Sequence, residues 1–100
     1  MRLEIHVISF STLVDKYVCS LNEFLHNEKK LNVENKMLEF THLTSMLSGW
    51  KNTELSDVED GFKIFVDIGD YSNKYVFDGG NLPNNFMSFM HEIKRLNMEV

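Results

Sequence analysis

The sequence predicts an α+β fold, a two-layer sandwich with elements in the order β-α-α-β-β-α. A three-stranded sheet would carry the helices packed on one of its faces. Two observations predict it. Residues 2–8 and 62–68 alternate between apolar and polar, as half-buried strands do, and three other segments repeat apolar residues at helical spacing. The 100 residues suffice for a single domain spanning 1–100.

In the first half, Leu3, Ile5 and Val7 would form the buried face of the first strand. Ser11 could cap a helix that runs to about His26. Its apolar positions are Leu13, Val14, Tyr17, Val18, Leu21, Phe24 and Leu25. A second helix would follow Asn32 and end at Gly49. Because residues 37–44 also alternate, a strand is the alternative for that segment.

In the second half, the strand over 62–68 is the clearest in the chain. Residues 69–73 then predict a hairpin loop, and residues 74–78 the returning strand. Pro83 suits the first turn of a closing helix. The buried stripe of that helix would be Phe86, Phe89, Met90, Ile93 and Leu96.

Composition limits the possible functions. The net charge of −5 argues against general binding to a nucleic-acid backbone or to anionic membranes and favours a basic partner. The single cysteine, Cys19, excludes an intrachain disulfide. No apolar run is long enough for a membrane helix, and the N-terminus does not resemble a signal peptide, so a cytoplasmic location is expected.

The sequence predicts no enzymatic activity, no cofactor and no metal site. No two of the four histidines have the spacing of metal ligands. We therefore interpret them as surface or half-buried side chains: His6, His26, His42 and His91. Cys19 would be an inert packing thiol inside a helix. The carboxylates of Asp67, Asp70 and Asp78 lack the order of a calcium loop and are interpreted as solvated turn residues. Trp50 would cover the core.

The charge is concentrated in the middle of the chain. Residues 52–80 contain seven acidic and two basic side chains, whereas the other residues balance. This distribution predicts an acidic docking surface with two aromatic anchors, although a merely polar loop is a comparably good explanation. The predicted partner-binding residues are Glu54, Asp57, Glu59, Asp60, Phe65, Asp67, Asp70, Tyr71 and Asp78.

Two segments, 60–68 and 75–86, carry a family resemblance. The first is a strand after Asp60-Gly61, and the second reads Tyr-Val-Phe-Asp-Gly-Gly-Asn-Leu-Pro-Asn-Asn-Phe. Together with the closing helix, to residue 94, they resemble small bacterial immunity proteins, which are encoded beside secreted toxins. A similar architecture occurs in bacterial protease inhibitors. The resemblance implies that the chain neutralises a toxin, and it assigns no individual binding residue.

The leading hypothesis is therefore a cytoplasmic immunity protein that blocks a cognate toxin, a basic protein domain, through the acidic surface. An inhibitor of a nucleic-acid-handling complex is an alternative within the same class. A small enzyme or ligand-binding module is another, and it would require two or more of His6, His42, His91 and Cys19 to meet in one pocket. The last alternative is a structural subunit that only forms homo-oligomers.

Overall fold

The computed structural model describes residues 1–51 and 57–98. Within these residues the chain forms one six-stranded antiparallel sheet and two helices. The strands are β1 (Arg2–Ser9), β2 (Thr12–Ser20), β3 (Phe24–His26), β4 (Lys29–Lys30), β5 (Gly61–Ile68) and β6 (Tyr71–Phe77). The helices are α1 (Lys36–Ser45) and α2 (Phe86–Met98).

The strand order in the sheet is β4-β3-β2-β1-β5-β6. Three tight hairpins connect β1 to β2, β3 to β4, and β5 to β6, and α1 lies in the connection from one half of the sheet to the other. The central strand β1 pairs with β2 on one side, where Ile5 faces Tyr17, and with β5 on the other, where Ile5 faces Ile64. The alternation in β1 and β5 is thus the pattern of two neighbouring central strands.

The predicted three-stranded sheet and β-α-α-β-β-α order are wrong. The segment predicted as a helix from Ser11 to His26 forms β2 and β3. Residues 12–20 are rich in β-branched and aromatic side chains, which favour strands, and Tyr17 and Cys19 alternate towards the core. The helical spacing arises because Val14 and Val18 lie on the opposite sheet face and supply extra apolar positions.

The two helices are antiparallel neighbours on one face of the sheet. Asn35 caps α1 by accepting a hydrogen bond from the Leu38 backbone N–H at 3.1 Å. At one end of the pair, Asn85 donates from Nδ2 to the Met46 carbonyl at 2.8 Å. At the other, Arg95 Nη2 pairs with Glu39 Oε2 at 2.9 Å. Neither helix within the described residues has the length and apolar character needed to cross a membrane.

The core lies between the helices and one face of the sheet. The predicted stripe of α2 is buried in full, and α1 contributes Phe40 and Leu43. Trp50 covers this core as predicted, with ring centroids 5.2–5.6 Å from three aromatic rings that it meets at steep angles. Those rings belong to Tyr75, Phe77 and Phe89. The other sheet face carries Glu4, Lys63 and Phe65, and neither helix of the described residues packs on it.

Cys19 lies on the core face of β2 and is buried, as its predicted packing role requires, although in a strand instead of a helix. Burial raises the pKa of its thiol to about 12. The unfolded chain therefore releases this proton from about pH 9, whereas the folded chain retains it. We expect the free energy of unfolding to fall by about 1.4 kcal/mol per pH unit over that window because of this group.

Urea denaturation between pH 8 and pH 11 measures this slope, and the Cys19→Ala variant is its control. The variant should lose most of the decline that begins near pH 9. Equal slopes in the two proteins would show that the thiol ionises normally in the folded state.

Candidate functional site

The tip of the β1–β2 hairpin exposes an aromatic side chain. Phe10 and Ser11 form a two-residue turn between the paired residues Ser9 and Thr12. Phe10 is 87% exposed, the highest value among the large apolar side chains of the described residues. A phenyl ring in water at the end of a hairpin contributes nothing to the core and is accessible to another molecule.

The backbone of this turn is strained. Phe10 and Ser11 have φ angles of 50° and 59°, the left-handed values that a type I′ hairpin turn requires at both central positions. Asn-Gly is the preferred pair for such a turn, and other residues with a Cβ atom lose about 1 kcal/mol or more there. The other two hairpins have a favourable residue first, Asn27 in β3–β4 and Gly69 in β5–β6. Phe10 therefore occupies its position at a cost to stability.

The tip is held in place by the segment that leads into β5. The Phe10 N–H donates to Asp60 Oδ1 at 3.0 Å, and the Ser11 N–H donates to the Glu59 carbonyl at 2.8 Å. Both bonds join residues about fifty positions apart in sequence. They fix the direction in which Phe10 projects and place two acidic residues beside it.

Two further apolar side chains continue the exposed surface from the tip along β2. Leu13 is 47% exposed and Val14 is 48% exposed. The sheet has a bulge here, because Val7 pairs with Asp15 while Ile8 pairs with Leu13, which leaves Val14 as the extra residue. We call the surface formed by Phe10, Leu13 and Val14 the hairpin tip. Sequence reasoning missed it because it placed Leu13 and Val14 on the buried side of a helix.

The predicted acidic residues do not form one contiguous patch. Asp57, Glu59, Asp60 and Asp78 lie at the end of the sheet where β5 begins and β6 ends, which is also the end that carries the hairpin tip. Asp67 and Asp70 lie at the opposite end of β5. At about 3.3 Å per residue, the strand separates the groups by roughly 25 Å, well beyond the screening length of physiological salt. Glu54 lies outside the described residues.

One acid of the first group is paired within the chain. Lys63 Nζ lies 3.1 Å from Asp57 Oδ1. The hydrogen bond from Lys63 and that from the Val58 N–H hold the pKa of Asp57 below its ordinary value. The Asp57 side chain remains 82% exposed to solvent despite this ion pair. We call Asp57, Glu59 and Asp60 the acidic rim of the hairpin tip.

The uncovered sheet face is neutralised by its own charges. Glu4 lies 2.7 Å from Arg2, 3.1 Å from His6 and 3.7 Å from Lys16. Burial alone would raise the pKa of Glu4, but the hydrogen bonds from Arg2 and His6 and the Lys16 charge lower it overall. Phe65, a predicted anchor, is half-buried on this face against the His6 ring and below Lys74. It therefore does not project as an anchor.

Tyr71, the other predicted aromatic anchor, begins β6 at the end of the sheet away from the hairpin tip. Its side chain is half exposed, but its hydroxyl lies 2.9 Å from the Tyr75 hydroxyl and accepts a hydrogen bond from Asn73 Nδ2 at 2.7 Å. These contacts lower the pKa of Tyr71. Asp67 and Asp70 are the predicted acids at this end of the sheet, two against the three of the acidic rim near Phe10.

The histidines separate into two pairs. His6 bonds to Glu4, and His26 Nε2 lies 2.8 Å from Asp15 Oδ1 while its ring stacks on Tyr17. His42 and His91 instead line one groove between α1 and α2. Of the four residues named in the enzyme hypothesis, these two share a groove, whereas Cys19 is buried in the sheet. No cluster of three or more His, Cys, Asp or Glu suited to a metal occurs in residues 1–51 and 57–98.

A comparison of the chain with models of protein families, with curated proteins and with solved structures finds no significant match.

Proposed function

We propose that this chain is a binding protein that inhibits a basic protein partner, with the hairpin tip as its anchor and the acidic rim as its steering charge. The observation that carries the proposal is Phe10, an exposed aromatic residue in a strained turn that two long-range hydrogen bonds hold in position. Folding alone gives no reason for such a residue, whereas binding does.

The chemistry of the surface supports a basic protein as the partner. Aromatic side chains that insert into a partner's pocket commonly supply most of the affinity of an interface. Acidic groups around the anchor accelerate encounter with a cationic surface and disfavour anionic ones. The partner should therefore present an apolar pocket surrounded by Lys or Arg, as a domain that binds nucleic acid does.

A fixed hairpin also suits inhibition. Because the tip is preorganised by Asp60 and Glu59, little conformational entropy is lost when it enters a cleft. A pocket occupied by Phe10 would be closed to the partner's own substrate. The immunity role implied by residues 60–94 is the specific form of this proposal: the partner is then a toxin, and the binding event neutralises it inside the cell that makes both proteins.

Charge reversal tests the steering role. The first variant is Asp57→Lys with Glu59→Lys, and Asp60 is left unchanged because it holds Phe10. The second is Asp67→Lys with Asp70→Lys, the same charge change at the far end of the sheet. With the purified product of the adjacent gene as partner, we expect the first variant to slow association about tenfold or more at low salt, and the second far less.

Association rates measured by stopped flow at several salt concentrations distinguish the outcomes. Equal slowing in the two variants would show that only net charge matters and would contradict an acidic rim at the hairpin tip. Failure of the wild-type chain to bind the adjacent gene product would reject the immunity role.

A further inference from the structure

The groove between α1 and α2 has an unusual lining. It has a volume of about 660 Å³ and is lined by three methionines, two histidines, Ser88, Glu92 and Lys94. The methionines are Met46, Met87 and Met90, and the histidines are His42 and His91. The interface proposed above uses none of these residues.

Two contacts, one at each end of the helix pair, set the relative height of His42 and His91. Asn85 lies against Met46, and Arg95 lies against Glu39. His42 is close to the midpoint between Glu39 and Met46 on α1. On α2, His91 is close to the midpoint between Asn85 and Arg95. Since residues on both helices rise by about 1.5 Å each, the two histidines lie at about the same level of the helix pair, and both line the groove.

Each helix also supplies a thioether one turn from its imidazole. Met46 follows His42 by four residues, and Met87 precedes His91 by four, so each pair shares a helix face. In the antiparallel arrangement Met46 and Met87 both lie towards the Asn85 end. The groove is thus lined by two histidine–methionine pairs, one from each helix.

The imidazoles of this groove have their lone pairs available. Within residues 1–51 and 57–98, no side-chain hydrogen bond or ion pair engages the ring of His42 or His91. By contrast, Glu4 engages His6 and Asp15 engages His26. The side chain of Met87 is 73% exposed, so its sulfur is free to move towards a ligand.

We propose that this groove binds a soft monovalent metal ion, Cu(I) or Ag(I), through His42, His91, Met46 and Met87. Thioether sulfur selects soft ions, and neutral imidazole is compatible with them. Zinc and harder ions prefer thiolate, imidazole and carboxylate sets, and the described part of the chain brings no three of those groups together.

Isothermal titration with silver nitrate in a chloride-free buffer tests this site. Ag⁺ is a redox-inert probe for the same donor set. The Cys19→Ala variant is the parent protein, because it removes the only thiol. We expect one saturable Ag⁺ site per chain. His91→Ala and Met87→Leu should each weaken binding about tenfold or more, since even indirect partners of metal ligands contribute that much.

Met37→Leu is the matched control, because Met37 is an exposed methionine of α1 that does not line the groove. It should bind Ag⁺ like the parent. In methyl NMR spectra of the parent, the Met46 and Met87 resonances should shift on addition of Ag⁺ and the Met37 resonance should not. Unsaturable binding, or equal losses in Met37→Leu and Met87→Leu, would overturn the proposal. Those results would make the methionines adaptable packing side chains.

Discussion

Replacing Phe10 by Asn and Ser11 by Gly should raise the free energy of unfolding by about 1–2 kcal/mol and at the same time weaken partner binding about 30-fold or more. The turn keeps its type I′ shape, because Asn-Gly is the pair best suited to two positive φ angles. The bonds from positions 10 and 11 to Asp60 and Glu59 use backbone N–H groups and survive. Loss of a buried aromatic anchor typically weakens an interface by about 2 kcal/mol or more, or about 30-fold.

Glu28→Gly is the matched control for this double variant. It creates the same Asn-Gly pair in the β3–β4 turn, where Asn27 and Glu28 also have positive φ angles. It should stabilise the fold and leave affinity unchanged. Urea denaturation and titration calorimetry give the two readouts. A Phe10→Asn, Ser11→Gly protein that binds like the wild type would exclude the hairpin tip as the anchor.

Replacing Trp50 by Ala should lower the free energy of unfolding by about 3–5 kcal/mol. The indole packs edge-on against three aromatic rings and donates from Nε1 to Asn85 Oδ1 at 2.7 Å. Its removal leaves a cavity over the core. It also leaves Oδ1 of Asn85, the residue that joins α2 to α1, without this hydrogen-bond donor. Because domains of this size are stable by about 5–15 kcal/mol, such a loss approaches the whole stability of the fold.

Trp50→Phe separates the two contributions. It preserves an aromatic ring in the cluster but loses the hydrogen bond to Asn85, and we expect a loss of about 1–2 kcal/mol. Met87→Ala, at an exposed site, should change stability by less than about 0.5 kcal/mol. Thermal unfolding followed by circular dichroism measures all three. A Trp50→Ala protein as stable as Met87→Ala would contradict the role of Trp50 as the cover of the core.

The elements that sequence reasoning placed correctly are those whose pattern had one physical explanation. The alternation in 2–8 and 62–68 is confirmed as β1 and β5, and the stripe from Phe86 to Leu96 is confirmed as the buried face of α2. The segment before Gly49, for which a strand was the alternative, is a helix, but α1 covers only Lys36–Ser45. In β1, β5 and α2 a strong period indicates one structure.

The segment from Ser11 to His26 was mistaken because local signals conflict there. Apolar residues on both faces of β2 imitate helical spacing, and the turn at Phe10 and Ser11 lacks the glycine or asparagine that marks a hairpin. The β-branched content of residues 12–18 was the signal that could have identified β2. A turn without its preferred residues can be recognised only when the pairing of the flanking strands is known.

The candidate site was predictable only in part. The acidic charge of 57–60 is visible in the sequence, but the division of the acids between the two ends of β5 depends on the register of the hairpin. Phe10 lies next to Asp60 only because β1 and β5 are neighbours in the sheet. This contact between distant residues joins the hairpin tip to the acidic rim.

Site-directed photo-crosslinking tests the role of the hairpin tip most directly. A benzoylphenylalanine residue is introduced at position 10 in one protein and at position 37, where Met37 is also exposed, in a second. Both proteins are expressed in the source cells and irradiated. We predict one discrete adduct with a basic protein from position 10, lost on addition of excess unlabelled wild-type chain, and no such adduct from position 37. The same adducts from both positions, or none from position 10, would contradict the account.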